Sequence, residues 1–499
     1  MSTSKALTNG VPSAASSAAA SAAANSLLNC FVNAGHPFKA LRTFYHLKNA
    51  HTPPVPVLNR LLSSLLRSPH PDSAWLLFAE MFRLRLRSSV TTFNIMLNAL
   101  CKQNRLSKAH SLLNSMEEEF GVRPNAVTYN TIINACFLRG RTDAALKVFS
   151  SMSARGIRPD SYTYGILIRG FVRTGRISDA RNLFEEMLEK GLVPGAVNYN
   201  CLIDGYCNKG DLEAALKCRD MMVEKGVEPT VCTYNLLVHA LFMEGRSEEA
   251  KGMVREMEGK GLVGDGITYN ILINGYCKGG DVDRAFEMFK EMARRGVKPT
   301  RVTYTSLIYV LCRRKRAGEA DRLFTKAVAE EGLRPDLVMY NALVDGHCGA
   351  GDMERAFGLV KDMEREKVGP DEVTYNSLMR GLCLLGRAEE ARGLLDEMAR
   401  RGIAPDLISY NTLISGYGRK GEMKDAFSVR DEMLSKGFNP TILTYNALIR
   451  GLCKSGEGDH AEEVLDEMVS NGITPDDSTY LTLIEGLNNV EVVTKSENE

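Results

Sequence analysis

The 499-residue chain is expected to be all-α, a right-handed superhelical solenoid of tandem 35-residue helix-turn-helix repeats. Three observations predict this. A tyrosine-centred tripeptide returns at steps that are mostly 35 residues or a multiple of it, as Thr128-Tyr129-Asn130, Asn198-Tyr199-Asn200, Thr233-Tyr234-Asn235, Thr268-Tyr269-Asn270, Met339-Tyr340-Asn341, Thr374-Tyr375-Asn376, Ser409-Tyr410-Asn411 and Thr444-Tyr445-Asn446. Apolar residues around each tyrosine follow a helical period. Glycine and proline punctuate each interval at the same places. A constant period of this size marks units that bury their apolar faces only against their neighbours.

Taken in order, residues 1–20 form a Ser/Ala-rich leader with no Asp or Glu before Asp72. That composition is expected of an organelle transit peptide. The mitochondrion is the expected destination and the chloroplast the alternative, since no Arg precedes Arg42. Residues 21–54 and 55–89 read as two degenerate repeats without the tyrosine. Eleven tandem units follow, at 90–125, 126–160, 161–195, 196–230, 231–265, 266–300, 301–336, 337–371, 372–406, 407–441 and 442–476. Those starting at 90 and 301 carry one extra residue late in the second helix or its exit. A partial unit covers 477–488 and an acidic tail 489–499.

Unit 126–160 is typical. Tyr129, Ile132, Ile133 and Cys136 lie at i, i+3, i+4 and i+7 on one helical face, and Gly140 closes that helix as a C-cap glycine does. A second helix starts near Thr142, turns Ala145, Val148, Phe149 and Met152 inward, and stops at Arg155-Gly156. Pro159 then forces the chain into an extended link. Short connections make the paired helices antiparallel, and the first helices are expected to line a concave surface.

Composition narrows the function. Apolar residues make up 44% and charged residues 25%, as in ordinary folded proteins, and no apolar run is long enough to span a membrane. Net charge is +1, so nucleic acid could be held only by charge placed locally on one face. Of twelve cysteines, Cys101, Cys207, Cys277, Cys312, Cys348, Cys383 and Cys453 share one repeat position and read as small buried hydrophobes. No C-x-x-C occurs, which speaks against zinc, a redox pair or a zinc deaminase. No cofactor, metal or small-molecule substrate is expected.

Two positions recur without a place in the core. Position five is Asn59, Asn94, Asn130, Asn200, Asn235, Asn270, Asn341, Asn376, Asn411 and Asn446, although asparagine is a mediocre helix former. A ladder of asparagines between repeats is one cause. Base reading is another, since a carboxamide offers an acceptor and two donors. The exceptions Gly165, Thr305 and Leu481 are gaps that a ladder should tolerate badly. The last residue of each unit is drawn from a short polar set: Ser89, Asn125, Asp160, Thr230, Asp265, Thr300, Asp336, Asp371, Asp406, Thr441 and Asp476, with Gly195 apart. N-capping selects the same residues. Position two is aliphatic at Val127, Val197, Ile267, Val302, Val338, Val373, Ile408 and Leu443, and position thirteen is cationic at Lys102, Arg173, Lys278, Arg313, Arg419 and Lys454. A wedge, a polar reader and a cation in a row suit single-stranded nucleic acid.

From about residue 55 to 486 the chain resembles a pentatricopeptide repeat protein of the pure-repeat class, with V-T-Y-N-x-L-I, Gly-Lys/Arg, Ala, Phe, Met and G-x-x-P-D landmarks in nearly every unit. The resemblance implies non-catalytic, sequence-specific binding of single-stranded RNA in a plant organelle, one base per repeat. Positions five and thirty-five would select the base and position two would pack beside it. Asn with Asp then implies uracil, Asn59 with Ser89 cytosine, Asn94 with Asn125 a pyrimidine, Asn with Thr a pyrimidine, and Thr305 with Asp336 guanine. Gly165 with Gly195 has no assignment. The implied site is C-Y-U-x-Y-U-Y-G-U-U-Y-U, where Y is a pyrimidine. RNA-processing proteins recruited to such a tract are further expected partners. The alternative is a helical scaffold that binds proteins in the same groove.

Overall fold

The computed structural model describes residues 14–48 and 52–484, so the start of the leader, the end of the partial repeat and the acidic tail lie outside the described residues. The described residues are helical throughout, with no strand. They form thirteen helix pairs, from Ala14–Asn33 with Pro37–Leu47 to Ile442–Ser455 with Gly458–Ser470, followed by a single helical stretch at 477–484. Helix Ala14–Asn33 crosses the expected edge of the leader at residue 20. No described helix is long and apolar enough to cross a membrane.

Two compact units divide at Ala240/Leu241, inside helix Val231–Met243. In the first unit, first helices Val90–Lys102, Ala126–Leu138, Ser161–Arg173 and Ala196–Lys209 pack one on the next and each on its own second helix. The second unit repeats the arrangement from Gly266–Lys278 through Arg301–Arg313, Leu337–Ala350, Glu372–Leu384 and Leu407–Lys420 to Ile442–Ser455. This is solenoid packing: each helix buries its stripe against the adjacent repeat.

The repeated tyrosine is buried in each unit that carries it. Its ring meets an aromatic from the preceding second helix, as in Phe184–Tyr199 with centroids 5.0 Å apart and Phe289–Tyr304 at 5.5 Å. Its hydroxyl can donate to a second-helix carboxylate, as Tyr164 does to Glu186 at 2.9 Å and Tyr375 to Glu397 at 3.2 Å. Second helices contribute an alanine and a methionine to the same layer, such as Ala145 with Met152 and Ala391 with Met398, all fully buried.

All twelve cysteines are free. Burial pushes the Cys348 thiol up to about 12, so it stays protonated and behaves as a small hydrophobe. The cysteine position faces a glycine of the next first helix, a contact the sequence reading did not single out. A Cβ on Gly416 would lie 2.3 Å from Cys383 Sγ, and one on Gly346 would lie 2.3 Å from Cys312 Sγ. Glycine there lets successive first helices approach closely.

The two long units absorb their extra residue where expected, at the exit of the second helix. In unit 126–160 the exit closes with Ile157 N–H donating to Met152 O at 3.1 Å. In unit 90–125 the matching bond reaches one residue further, from Val122 N–H to Met116 O at 2.7 Å, and in unit 301–336 it runs from Leu333 N–H to Ala327 O at 3.0 Å. The latter widens into a π-helical turn at Lys326–Glu330. Such turns take in a single inserted residue without breaking the helix.

Glycine→alanine inside a helix ordinarily gains about 1 kcal/mol. At Gly416 overpacking, at about 1–3 kcal/mol, outweighs that gain. Gly416→Ala is therefore expected to lower the unfolding midpoint, and Cys383→Ala to recover part of the loss, as read by chemical denaturation. The reverse holds at Lys315, which has φ 58° where unit 126–160 has Gly140 at φ 68°. Lys315→Gly should stabilise by about 1 kcal/mol, measured in the same assay.

Candidate nucleic-acid interface

First helices Val90–Lys102, Ala126–Leu138, Ser161–Arg173, Gly266–Lys278, Arg301–Arg313, Glu372–Leu384, Leu407–Lys420 and Ile442–Ser455 begin with a capping box. The last residue of one repeat is the N-cap of the next, and its side chain accepts the N–H of the third helical residue: Thr128 to Asn125 at 3.1 Å, Thr163 to Asp160 at 2.7 Å, Thr374 to Asp371 at 3.0 Å and Ser409 to Asp406 at 2.8 Å. Capping is therefore one role of position thirty-five. Burial raises the Asp406 carboxyl, but bonds from the Ser409 N–H, the Asn376 amide and the Ser409 hydroxyl outweigh it and hold the group below the usual carboxylate range.

Position five joins the same network. The hydroxyl at position three of the following repeat donates to the asparagine Oδ1: Thr92 to Asn59 at 2.7 Å, Thr128 to Asn94 at 2.7 Å, Thr233 to Asn200 at 2.7 Å and Thr303 to Asn270 at 2.5 Å. Thr374 does so to Asn341 at 2.6 Å, Ser409 to Asn376 at 2.7 Å, Thr444 to Asn411 at 2.7 Å and Thr479 to Asn446 at 2.6 Å. The asparagine Nδ2 then donates to position thirty-five of its own repeat, from Asn341 to Asp371 at 3.0 Å, Asn376 to Asp406 at 3.1 Å and Asn446 to Asp476 at 3.2 Å. Longer bonds of the same kind run from Asn59 to Ser89 at 3.4 Å, Asn94 to Asn125 at 3.5 Å, Asn200 to Thr230 at 3.4 Å and Asn270 to Thr300 at 3.3 Å.

The asparagine ladder therefore exists, and its gaps did not count against it. Where position five is not asparagine, position three of the next repeat is not Thr or Ser. Gly165 is followed by Asn198 and Thr305 by Met339, and both partners are buried. Thr305 turns its hydroxyl back to Arg301 O at 2.9 Å, and Asp336 Oδ2 takes the Arg301 guanidinium at 3.0 Å. Asn130 is also an exception, since its buried Oδ1 has no partner and Thr163 bonds Asp160 instead.

The remaining positions face outward. The eight aliphatics at position two, from Val373 at 49% to Leu443 at 68%, are exposed. So are Lys102, Arg173, Lys278, Arg313, Arg419 and Lys454, and none of the six makes an ion pair among the described residues. By contrast, four arginines that open second helices are paired at i, i+3: Arg176 with Asp179 at 2.7 Å, Arg246 with Glu249 at 2.6 Å, Arg316 with Glu319 at 2.6 Å and Arg387 with Glu390 at 2.5 Å. In the first unit Asn94, Lys102, Asn125, Val127 and Asn130 line one groove of about 760 Å³, together with Tyr162. Tyr162 occupies position two of its repeat and is 67% exposed; reading position two as an aliphatic site passed over it.

No catalytic grouping emerges in the described residues. A His-x-Glu does occur at His460-Ala461-Glu462, but His460 is exposed and bonds Glu457 at 3.0 Å, without a cysteine pair to complete a zinc site.

Replacing the fully buried Thr374 by valine should cost about 1–3 kcal/mol, because Asn341 Oδ1 and the Asp371 N–H both lose their partner. Urea denaturation measures it. Asp406 adds an acid dependence. Its folded pKa is depressed, so its contribution is complete above the unfolded value of about 3.9 and is lost as pH falls through the lower folded value. Asp406→Asn should remove that part of the acid unfolding profile.

The PPR repeat family matches residues 53–102, 88–138, 124–173, 194–243, 229–278, 264–313, 335–384, 370–413, 405–454 and 440–489, and single PPR repeats match 23–50, 162–192 and 302–329. Among curated relatives, a chloroplastic pentatricopeptide repeat-containing protein of Arabidopsis thaliana is 33% identical over 109 residues, covering 22% of this chain and 14% of that protein. A mitochondrial one from the same plant is 30% identical over 98 residues, covering 20% of this chain and 13% of that protein. The matched stretches are thus a small part of these relatives' length. Among solved structures, the pentatricopeptide repeat protein PPR10 in complex with an 18-nt psaJ RNA element aligns with a TM-score of 0.62 at 23% identity, over 93% of this chain and 81% of that one. PPR10 from maize aligns at 0.52 and 24%, over 95% and 82%. With the family's repeats matched over most of its length and the tyrosine, capping and punctuation positions in register, the chain belongs to the pentatricopeptide (PPR) repeat family.

Proposed function

We propose that this chain binds single-stranded RNA sequence-specifically, one base per repeat, and serves organellar RNA metabolism through transcript stabilisation, processing, splicing or translation. The observation that carries the reading is the convergence of Asn94, Asn125, Val127, Asn130 and Lys102 from two successive repeats on one groove. That groove offers an edge-bonding group, an apolar wedge and a cation within reach of one nucleotide. PPR10, of the same fold, was solved with RNA bound, which supports the ligand class.

Base reading and the ladder are compatible in hydrogen-bond capacity. With Oδ1 bonded inward and one Nδ2 hydrogen given to position thirty-five, Asn341 and Asn376 each retain a second donor hydrogen, and Asp371 and Asp406 cap through Oδ1 and keep Oδ2. An outward amide donor beside a carboxylate acceptor suits the edge of uracil, which presents a carbonyl next to an N–H. The proposed tract is C-Y-U-x-Y-U-Y-G-U-U-Y-U. Binding would act by occlusion, denying about a dozen nucleotides to exonucleases or to base pairing, with RNA-processing proteins recruited to the complex. The mitochondrion is the proposed compartment and the chloroplast the alternative, distinguished by imaging the full chain with a C-terminal fluorescent tag.

Selection of the full chain against a randomised single-stranded RNA pool should enrich a pyrimidine tract with guanine at its eighth position. A folded protein that enriches nothing would favour the protein scaffold instead. The ladder refines the test of the guanine slot. Thr305→Asn alone puts an amide opposite the buried Met339, whereas Thr305→Asn with Met339→Thr rebuilds a rung. The double variant is expected to shift preference at that base from guanine to uracil, with a loss of about 1–3 kcal/mol on the original site. Unchanged discrimination in the double variant would refute the pairing of positions five and thirty-five with a base.

A further inference from the structure

Repeat 161–195 lacks both reading side chains, since Gly165 and Gly195 hold positions five and thirty-five. Its local structure is closed rather than vacant. Asn198, at position three of the next repeat, is 5% exposed and fills the space. Its Oδ1 accepts the Gly195 N–H at 3.1 Å and its Nδ2 donates to Ser161 O at 3.3 Å. A Cβ on Gly165 would come within 3.2 Å of that Nδ2. Asn198 therefore keeps the half of the capping box that a Thr or Ser makes in other repeats and covers the position where a reading asparagine would stand, with both ends of its amide turned to backbone. What this repeat does present is Tyr162, 67% exposed, on the groove that also holds Val127 and Asn130.

We propose that repeat 161–195 is an identity-blind slot, in which Tyr162 stacks on the face of a base whose edge goes unread. The inference rests on the RNA-binding reading above. Stacking tolerates any base because every base has a π face, and a phenol ring offers more stacking area than the valine, isoleucine or leucine of other repeats. The two glycines and Asn198 then form one device: they remove edge discrimination while the ring keeps the nucleotide in place, so the flanking repeats remain in step with the RNA.

The test uses the full chain and four RNAs carrying the proposed tract with A, C, G or U at its fourth position. Affinities should agree within about threefold, whereas changing the uracil at the third position, opposite Asn130 and Asp160, should cost about tenfold or more. Tyr162→Ala should weaken all four RNAs by about tenfold, and Tyr162→Phe should restore them. A triple variant, Gly165→Asn with Gly195→Asp and Asn198→Thr, should acquire a uracil preference at the fourth position alone. Discrimination at the fourth position in the unaltered chain as sharp as at the third, or no loss with Tyr162→Ala while other positions still discriminate, overturns this inference only. Absence of base discrimination at every position overturns it together with the functional reading.

Discussion

A hydroxyl-to-amide hydrogen bond across 33 residues, from position three of one repeat to the asparagine of the repeat before, is the interaction on which most of the candidate interface depends. The same Thr or Ser hydroxyl accepts the backbone N–H of the cap residue, and the cap accepts a backbone N–H in return. Helix start, repeat-to-repeat docking and amide orientation are thus one network, in which moving any member strands a buried polar group. The energetic weight of each bond is modest, about 0.5–1.5 kcal/mol net. Its geometric weight is larger, because an asparagine with its oxygen bonded inward has only one sensible orientation. Its remaining donor is therefore set before any ligand arrives, which lowers the ordering cost of binding.

Much of this was legible in the sequence, for a physical reason. Helix period, capping residues and glycine-proline punctuation act locally, so unit 126–160 could be divided into its two helices almost to the residue: Ala126–Leu138 and Thr142–Ala154. What escaped were relations between repeats. Gly165 and Thr305 looked like damage to a ladder when position five was read alone. They became ordinary once Asn198 and Met339, 33 and 34 residues on, were seen to change with them. Gly346 and Gly416 escaped for a related reason. A glycine within a helical stretch reads as a weak helix former, and only the cysteine sulfur of the preceding helix shows why no side chain fits.

Net charge was equally uninformative, because sorting happens between faces. Arg176, Arg246, Arg316 and Arg387, which open second helices, hold a carboxylate one turn on, which cancels their field within a few ångströms. Lys102, Arg173, Lys278, Arg313, Arg419 and Lys454, near the ends of first helices, make no ion pair among the described residues. A chain of charge +1 can therefore still offer a periodic positive stripe to a polyanion, and the salt dependence of binding counts the members of that stripe in contact rather than the chain's total charge.

The extra residues of units 90–125 and 301–336 separate two kinds of length. Contour length along the polypeptide grows by one amino acid, yet the wider exit turn returns the chain to the same cap position, Asn125 in the first and Asp336 in the second, and in the first to the same asparagine rung: Asn94 still meets Thr128 at 2.7 Å. The spacing of cap positions is thereby decoupled from the spacing of codons. On the reading proposed above, single-residue insertions at Glu118–Val122 or Lys326–Leu333 would leave the frame of a bound strand unchanged.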